Sequence, residues 1–179
     1  FRFPRVAGLA AFQRAGYLWM VFDGNGNPTM PAIPEEFGGL VTLAERVPAE
    51  GATAFRFRIG EGFFPTISRD NQTWSVDLLP DPVPPLRPVD ILRQSASDTG
   101  PVVVLALAES AGAFQVRDPE VGDLLDVIPV RTVRAGVEAT HSFVQFRILQ
   151  TAQGAAIERL DDRIKITAFA DRKSTRLNS

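Results

Sequence analysis

Residues 54–59 read AFRFRI, a strict alternation of apolar and basic side chains. Successive side chains of a β-strand point to opposite faces, so the stretch predicts a strand with Phe55, Phe57 and Ile59 on one face. The two arginines between them then lie on the other face. One apolar and one charged face are typical of a half-buried strand in an antiparallel sheet. The stretch therefore predicts an antiparallel β-protein.

Runs of the same kind recur along the chain, and turn-forming residues separate them. The sequence contains 14 Gly and 14 Pro, and no window keeps a helical period for more than about two turns. One short helix is predicted at 34–37, where two glutamates occupy the first turn and meet the positive end of the helix dipole. The fold class is therefore all-β. The further predicted strands lie at 17–22, 40–46, 63–69, 74–78, 102–107, 114–117, 124–130, 143–149, 156–159 and 164–169.

One spacing occurs three times: an apolar residue, any residue, Arg, four residues, an apolar residue, any residue and a second apolar residue. Each copy predicts a hairpin in which the arginine closes the first strand and the apolar residues of the second strand point inward. The arginines could form a ligand-binding set, but the spacing favours solvated hairpin residues. The copies begin at Phe12, Ile67 and Ile157, their turns lie at 15–16, 70–72 and 160–162, and their arginines are Arg14, Arg69 and Arg159. The inward pairs are Trp19 and Val21, Trp74 and Val76, and Ile164 and Ile166.

A proline-rich stretch at 80–88 interrupts the β pattern. Proline fixes φ and restricts the residue before it, so the stretch predicts an extended, semi-rigid linker. It separates residues 1–79 from residues 89–170. We expect two small antiparallel units, each built on hairpins and each either β-sandwich-like or a partly closed barrel, joined by this linker.

The last nine residues, 171–179, read DRKSTRLNS and depart from the composition of the chain, since they hold one of its two lysines. The segment matches the in-frame translation of a common short-read sequencing adapter. We interpret it as a translated artefact and expect it to be disordered, as polar termini often are. Because the chain starts at Phe1 rather than at a methionine, we expect an internal fragment of a longer protein.

Composition and charge narrow the function classes. The chain of 179 residues is 45% hydrophobic and 22% charged, which lies in the globular range. Its formal net charge is −2, which argues against a nucleic-acid partner because phosphate binding needs a concentrated basic surface. No apolar stretch approaches the roughly 20 residues of a membrane span. The absence of cysteine fits either a reducing compartment or a periplasmic protein without disulfides.

One Asn- and Gly-rich stretch raises the possibility of ion binding. Asp23, Asn25 and Asn27 match the first oxygen-ligand positions of a calcium loop. Pro28 stands where that loop requires glycine, and Pro34 stands where it requires a bidentate glutamate. We favour a Gly/Asn-rich turn, and an ion at these three residues stays open.

Residues 118–126 gather four carboxylates, which could form a metal site or an acid–base pair. Paired carboxylates become catalytic when burial separates their pKa values, and the sequence gives no sign of burial here. We favour a turn made by Pro119 and Gly122, with Asp123 and Asp126 facing water.

His141 is the single histidine and lies in an irregular stretch at 131–142. Without cysteine the usual His/Cys zinc sets cannot form. A Ser/His/Asp triad would use Ser110 or Ser142, but neither serine lies in a G-x-S-x-G nucleophile elbow. We expect a solvated loop histidine and no catalytic, metal-binding or cofactor-binding residue.

Three segments, AAFQRAGYLWMVFD (10–23), TWSVDL (73–78) and DPEVGD (118–123), resemble the β-rich repeated region of large envelope-associated proteins of Gram-negative bacteria. Residues 6–79 are also loosely similar to AMIN domains. These small β-sandwiches direct cell-wall enzymes and secretin components to peptidoglycan or the division site. The resemblance implies a periplasmic or envelope-associated protein whose partner is another envelope protein or peptidoglycan.

We therefore expect a non-enzymatic scaffold or binding region of a bacterial cell-envelope protein that interacts through sheet faces or exposed strand edges. The predicted contact surface consists of Arg56, Arg58, Phe63 and Phe64.

Two alternatives remain. A carbohydrate- or peptidoglycan-binding module requires Trp19 and Trp74 to face solvent on one surface. A hydrolase requires His141 to meet the carboxylates of 118–126 in a cleft.

Overall fold

The computed structural model describes residues 1–179 except 25, 27, 29–32, 34, 98–99, 162–164, 169–174 and 179. Residues 36, 93–97, 100–102, 165–168 and 175–178 are described by their backbone alone. The described part of the chain is all-β, as predicted, with one 3-10 turn at Glu35–Phe37 inside the predicted helix at 34–37. No helix among the described residues is long and apolar enough to cross a membrane.

The described strands pair in antiparallel fashion, with the exception of one short parallel pair. In chain order they are β1 (Leu9–Arg14), β2 (Tyr17–Asp23), β3 (Val41–Val47), β4 (Ala52–Ile59), β5 (Phe64–Asp70), β6 (Thr73–Leu79), β7 (Arg87–Pro88), β8 (Ile91–Ser97), β9 (Gly100–Leu105), β10 (Phe114–Arg117), β11 (Leu124–Ile128), β12 (Ala135–Gly136), β13 (His141–Ser142), β14 (Phe146–Ile148), β15 (Thr151–Gln153), β16 (Ala155–Arg159), β17 (Lys165–Ala168) and β18 (Thr175–Asn178).

Most of the described strands belong to three larger sheets. The first sheet has the order β15-β1-β2-β4-β3, the second sheet the order β10-β11-β16-β14-β13, and the outer sheet the order β17-β18-β9-β8. β5 and β6 form a separate hairpin, and β7, at the end of the proline-rich stretch 80–88, pairs with β12 of the second half of the chain. None of the described sheets closes into a barrel.

The first and second sheets pack face to face because both are apolar on the faces that meet. Phe12 and Trp19 of the first sheet pack in one cluster with Val116 and Leu125 of the second sheet. In addition, β15 pairs with β1, although the two strands lie on opposite sides of the linker in sequence. The units expected at 1–79 and 89–170 therefore share a sheet and a core cluster.

Two further layers cover the outer faces of this sandwich. The β5–β6 hairpin packs on the first sheet, where Trp74 meets Met20 and Phe57. On the far side of the second sheet, Ile157 packs with Leu105, which belongs to the outer sheet. β2 is consequently buried on both faces, which explains its uninterrupted apolar sequence.

The alternation of residues 54–59 is confirmed in β4, but the strand is not half-buried. Phe55, Phe57 and Ile59 share one face, as predicted, and that face packs against the β5–β6 hairpin. Arg56 on the opposite face is 6% exposed, because the second sheet covers that face. Arg58 is exposed.

Two of the three predicted hairpins are confirmed. β1 and β2 turn at Ala15 and Gly16, which both have positive φ, as the favoured two-residue turns require. β5 and β6 turn at Asn71, where φ is 51°. The prediction of the third hairpin is wrong, because β16 and β17 do not pair with each other. β16 pairs with β11 and β14, whereas β17 pairs with β18. Ile164 and Asp162 of that third copy lie outside the described residues.

The expectation of disorder for 171–179 is wrong for Thr175–Asn178, which pairs with both β9 and β17. The free edge of a strand presents unpaired backbone groups, and an extended segment beside it can complete the ladder whatever its origin. Residues 171–174 and 179 lie outside the described part of the chain. The adapter origin of the segment stays a prediction.

Candidate functional site

The acidic stretch 118–126 forms the turn that the sequence predicts. Asp118 accepts a hydrogen bond from the backbone N–H of Glu120 at 2.9 Å, and Gly122 has φ of +88°. The prediction that Asp123 and Asp126 face water is wrong for Asp126, which is 3% exposed, while Asp123 is half-buried. Asp118 is also buried, at 1% exposure. Arginines from other strands cover these carboxylates.

Arg14, at the end of β1, is the centre of this arrangement. Its guanidinium donates hydrogen bonds to Asp118, to Asp123 at 2.5 Å and to Glu158 at 3.0 Å. Its side chain is 10% exposed, so the prediction of a solvated hairpin arginine is wrong at this position. Arg14 belongs to the first sheet. Of its partners, Glu158 lies on β16 of the second sheet, and Asp118 and Asp123 lie in the turn that joins β10 and β11 of that sheet. These ion pairs therefore hold the two sheets together.

The surroundings of Arg14 fix its charge. Burial alone lowers its pKa, but the hydrogen bond to Glu158 and the charges of Asp123 and Asp118 together raise the pKa above its ordinary value. A raised pKa means that the stability contributed by this cation is lost only as pH rises through that value. Arg14 is therefore positively charged at every pH at which the protein is expected to work.

Arg56 and Arg58, two arginines on β4, lie next to the ion pairs of Arg14. Arg56 pairs with Glu45, and its guanidinium carbon lies 4.3 Å from the ring centre of Tyr17. Arg58 donates a hydrogen bond to the Tyr17 hydroxyl at 2.7 Å, which together with the charge of Glu120 raises the pKa of Arg58. Arg56 is thus engaged inside the protein and is not available to a partner, contrary to its place in the predicted contact surface.

The other two repeat arginines also bind protein groups. Arg159 makes a two-pronged ion pair with Asp126, one branch of which measures 2.7 Å. Arg69 donates to the carbonyl of Arg131 at 2.6 Å and lies 5.0 Å from the ring centre of Trp74. The three arginines therefore form neither a ligand-binding set nor a solvated set.

His141 is exposed on the edge strand β13. The register runs from His141 to Ile148, from Ile148 to Ile157 and from Ile157 to Asp126. Three strand spacings, about 14 Å, therefore separate the histidine from that carboxylate. The described residues contain no group of three His, Cys, Asp or Glu side chains placed to hold a metal ion, and the arrangement required by the hydrolase alternative is not formed.

In the Asn- and Gly-rich loop, Asp23 is occupied by protein groups. One carboxylate oxygen accepts the N–H of Gly8, and the other accepts a hydrogen bond from Arg131. Asn25 and Asn27 lie outside the described residues, so the three-ligand arrangement is not described as a whole.

The remaining residues of the predicted contact surface are half-buried. The carbonyl of Phe63 accepts a hydrogen bond from the Gln13 side chain at 2.7 Å. Phe64 lines a small crevice of about 150 Å³ together with Pro82 and Pro85 of the linker. The linker thus lies against the first half of the chain near this pair.

An apolar cavity of about 330 Å³ lies between the first sheet and the β5–β6 hairpin. Small-molecule sites commonly begin at roughly this size, about 300 Å³, and are mostly apolar. Among the lining residues Ser75 alone has a polar aliphatic side chain, and it is exposed. The wall consists of Phe1, Leu18, Met20, Ile33, Phe37, Val41, Phe57, Ile59, Trp74, Ser75, Val76 and Leu78.

Trp74 forms a fixed part of the cavity wall, since its indole N–H donates to the carbonyl of Ala7 at 2.9 Å. It is 1% exposed, and Trp19 is fully buried on the other side of the first sheet. The carbohydrate-binding alternative required both tryptophans on one exposed surface, and this requirement is not met.

The cavity was not predicted from the sequence, although the pattern of its wall residues is partly visible there. Alternation already placed Phe57 with Ile59, and Trp74 with Val76, on common faces. What alternation does not give is the position of the hairpin over the sheet. That position results from contacts between residues far apart in the chain.

No protein-family model matches the chain, and comparisons with curated proteins and with solved structures gave no match. The resemblance to envelope-associated repeat regions and AMIN domains therefore stays a prediction.

Proposed function

We propose that this chain is a non-enzymatic binding region of a bacterial cell-envelope protein, and that it receives an apolar group in the cavity on the outer face of the first sheet. The observation that carries the proposal is the cavity itself. Its volume of about 330 Å³ and its apolar wall match the usual character of a ligand site. The envelope location is supported only by the resemblance of the hairpin segments.

A sheet face is favoured over a strand edge as the binding surface. β3 forms an edge of the first sheet, but its pairing with β4 is interrupted by a bulge between Val41 and Leu43. Bulges are one of the means by which natural proteins prevent an edge from pairing with another chain. The buried ion pairs of Arg14 and Arg56 in turn make the opposite face of the sheet a structural interface.

The test is a fluorescence titration with N-phenyl-1-naphthylamine, a neutral apolar dye. The protein is expected to bind the dye saturably at one site. Val76→Trp places a large side chain at the half-buried wall of the cavity and should weaken binding at least tenfold. The matched control is Val121→Trp, on the exposed acidic turn, which should leave binding unchanged.

Unsaturable binding, or equal binding by both variants, would contradict the proposal. Circular dichroism and thermal unfolding of each variant establish that the folded protein is being compared.

A further inference from the structure

We infer that an extended peptide segment of a partner protein pairs with the outer edge of β6 and inserts two apolar side chains into the cavity. The segment has the pattern apolar, basic, apolar and runs antiparallel to β6. This assignment rests on the proposed function, because the segment supplies the apolar groups that the cavity receives. The unpaired backbone of β6, rather than the size of the cavity, selects an extended peptide.

The first three residues of the chain already pair with one end of this edge. The α-amino group of Phe1 donates to the carbonyl of Trp74 at 2.8 Å, and the Trp74 N–H donates to the carbonyl of Phe1 at 2.9 Å. The N–H of Phe3 donates to the carbonyl of Gln72 at 3.4 Å. Residues 1–3 therefore run antiparallel to β6 and cover its edge only as far as Trp74.

Beyond Trp74 the same edge is open. The backbone groups of successive residues in a strand point alternately to its two sides, so those of Val76 and Leu78 point to the same side as those of Trp74. β6 pairs with β5 alone, and no described residue bonds the outward N–H or C=O groups of Val76 or Leu78. In contrast to the bulged edge at β3, the pairing of β5 with β6 has no register shift. A regular, unpaired edge of this kind can accept a further strand.

Residues 1–3 also show which side chains fit beside β6. The side chains of Phe1 and Phe3 point inward, and their ring centres lie 5.1 Å and 4.7 Å from the ring centre of Phe22. Arg2, between them and opposite Thr73, is exposed. Directly opposed residues of an antiparallel pair point to the same face. The same alternation, continued along β6, places one apolar residue opposite Val76 and one opposite Leu78, with an exposed residue between them.

The cavity lies where these two apolar side chains point. Phe1, Val76 and Leu78 line it, together with Met20 and Phe57 of the first sheet. Its volume is about 330 Å³, roughly twice that of an engineered cavity of about 150 Å³ that holds one benzene molecule. Two side chains of leucine size therefore have room in the cavity once the backbone of the segment pairs with β6.

The exposed face of the hairpin favours a basic residue between the two apolar ones. Asp77 lies between Val76 and Leu78 in sequence and is exposed. It stands opposite Thr66 of β5, and none of the ion pairs among the described residues includes it. Opposite charges placed directly across two strands are stabilising. An arginine or lysine of the segment opposite Asp77 therefore completes the pattern.

The test is an NMR titration of the full, ¹⁵N-labelled chain with the peptide acetyl-Ser-Leu-Arg-Leu-Ser-amide. We expect saturable shift changes and slower hydrogen exchange at the backbone N–H groups of Val76 and Leu78. The peptide should also displace N-phenyl-1-naphthylamine from the cavity.

Two methylated peptides provide the matched comparison. N-methylation of both leucines removes the N–H groups that bond to β6 and should weaken binding at least tenfold. N-methylation of the arginine alters an N–H that points away from β6 and should leave binding unchanged.

A charge exchange tests the middle position. Replacing the arginine of the peptide by glutamate should weaken binding about two- to fivefold, the usual effect of a cross-strand charge pair. Asp77→Lys should reverse this preference and leave dye binding unchanged, because the Asp77 side chain is exposed. An unchanged preference for arginine would contradict the proposed charge pairing.

The outcomes separate the two proposals. If the dye binds but the peptide does not, or if the two methylated peptides bind equally, the inference is wrong and the proposed function stands. If the wild-type protein binds neither the dye nor the peptide, both are wrong.

Discussion

At the scale of single residues, the role of Arg14 follows from its ion-pair partners and not from its position in a hairpin. It lies beside a turn, where an arginine usually faces water, yet three carboxylates from the second sheet surround it. Its bond to Asp118 joins residues 104 positions apart. Removing one partner of a buried ion pair leaves the other charges buried and unpaired. The free-energy cost of those unpaired charges is larger than the net stabilisation that the intact pair provides.

Arg14→Met should therefore lower the free energy of unfolding by about 3–5 kcal/mol. The matched control is Arg147→Met, whose side chain is 48% exposed and pairs with Glu158 at 3.0 Å. An exposed pair contributes about 0–1 kcal/mol, so the control should remain close to the wild type. Urea unfolding followed by circular dichroism measures both. Equal effects of the two substitutions would mean that the Arg14 ion pairs do not hold the sheets together.

At the scale of elements, the turn between β15 and β16 illustrates how closely the two sheets approach. Gly154 has φ of +67°, and a Cβ built there would lie 2.6 Å from the carbonyl oxygen of Ile128 and 2.9 Å from the Cβ of Ala10. Gly16, in the turn between β1 and β2, has φ of +78° but no atom within 4 Å of such a Cβ. The two glycines share backbone strain and differ in available space.

Gly16→Ala should accordingly cost about 1–2 kcal/mol, the usual penalty of a left-handed alanine. Gly154→Ala should cost a further ~1–3 kcal/mol, because the added methyl group overpacks the contact between the sheets. Thermal or urea unfolding of both variants gives the difference. A Gly154→Ala variant as stable as Gly16→Ala would show that the sheets are less closely packed here than described.

Much of the element level was predictable from the sequence, for a physical reason. Alternation and turn residues are local, so the β1–β2 and β5–β6 hairpins and the strand at 54–59 could be assigned from a few residues each. The pairing of β15 with β1 was not predictable, because a three-residue strand carries almost no periodicity. The burial of Arg56 was missed for a similar reason, since it depends on a second sheet that covers β4 from a distant part of the chain.

At the scale of the whole molecule, four layers determine where a ligand site can form. The two inner sheets are held against each other by an apolar cluster and by the ion pairs that Arg14 and Arg56 make with the acidic turn between β10 and β11. The β5–β6 hairpin covers the first sheet incompletely, and the apolar cavity lies in the gap. The candidate site was therefore unpredictable from the sequence, because it is a consequence of how the layers stack and not of any motif.

The most direct test of ligand binding in this cavity is a methyl NMR titration of the full chain with 1-decanol. The proposal predicts saturable shift changes at the methyl groups of Leu18, Met20 and Val76, which line the cavity. Val127 and Ile128, which pack in the two other core clusters, should remain unshifted. Shifts that are absent, or that appear equally at Val127 and Ile128, would contradict the account.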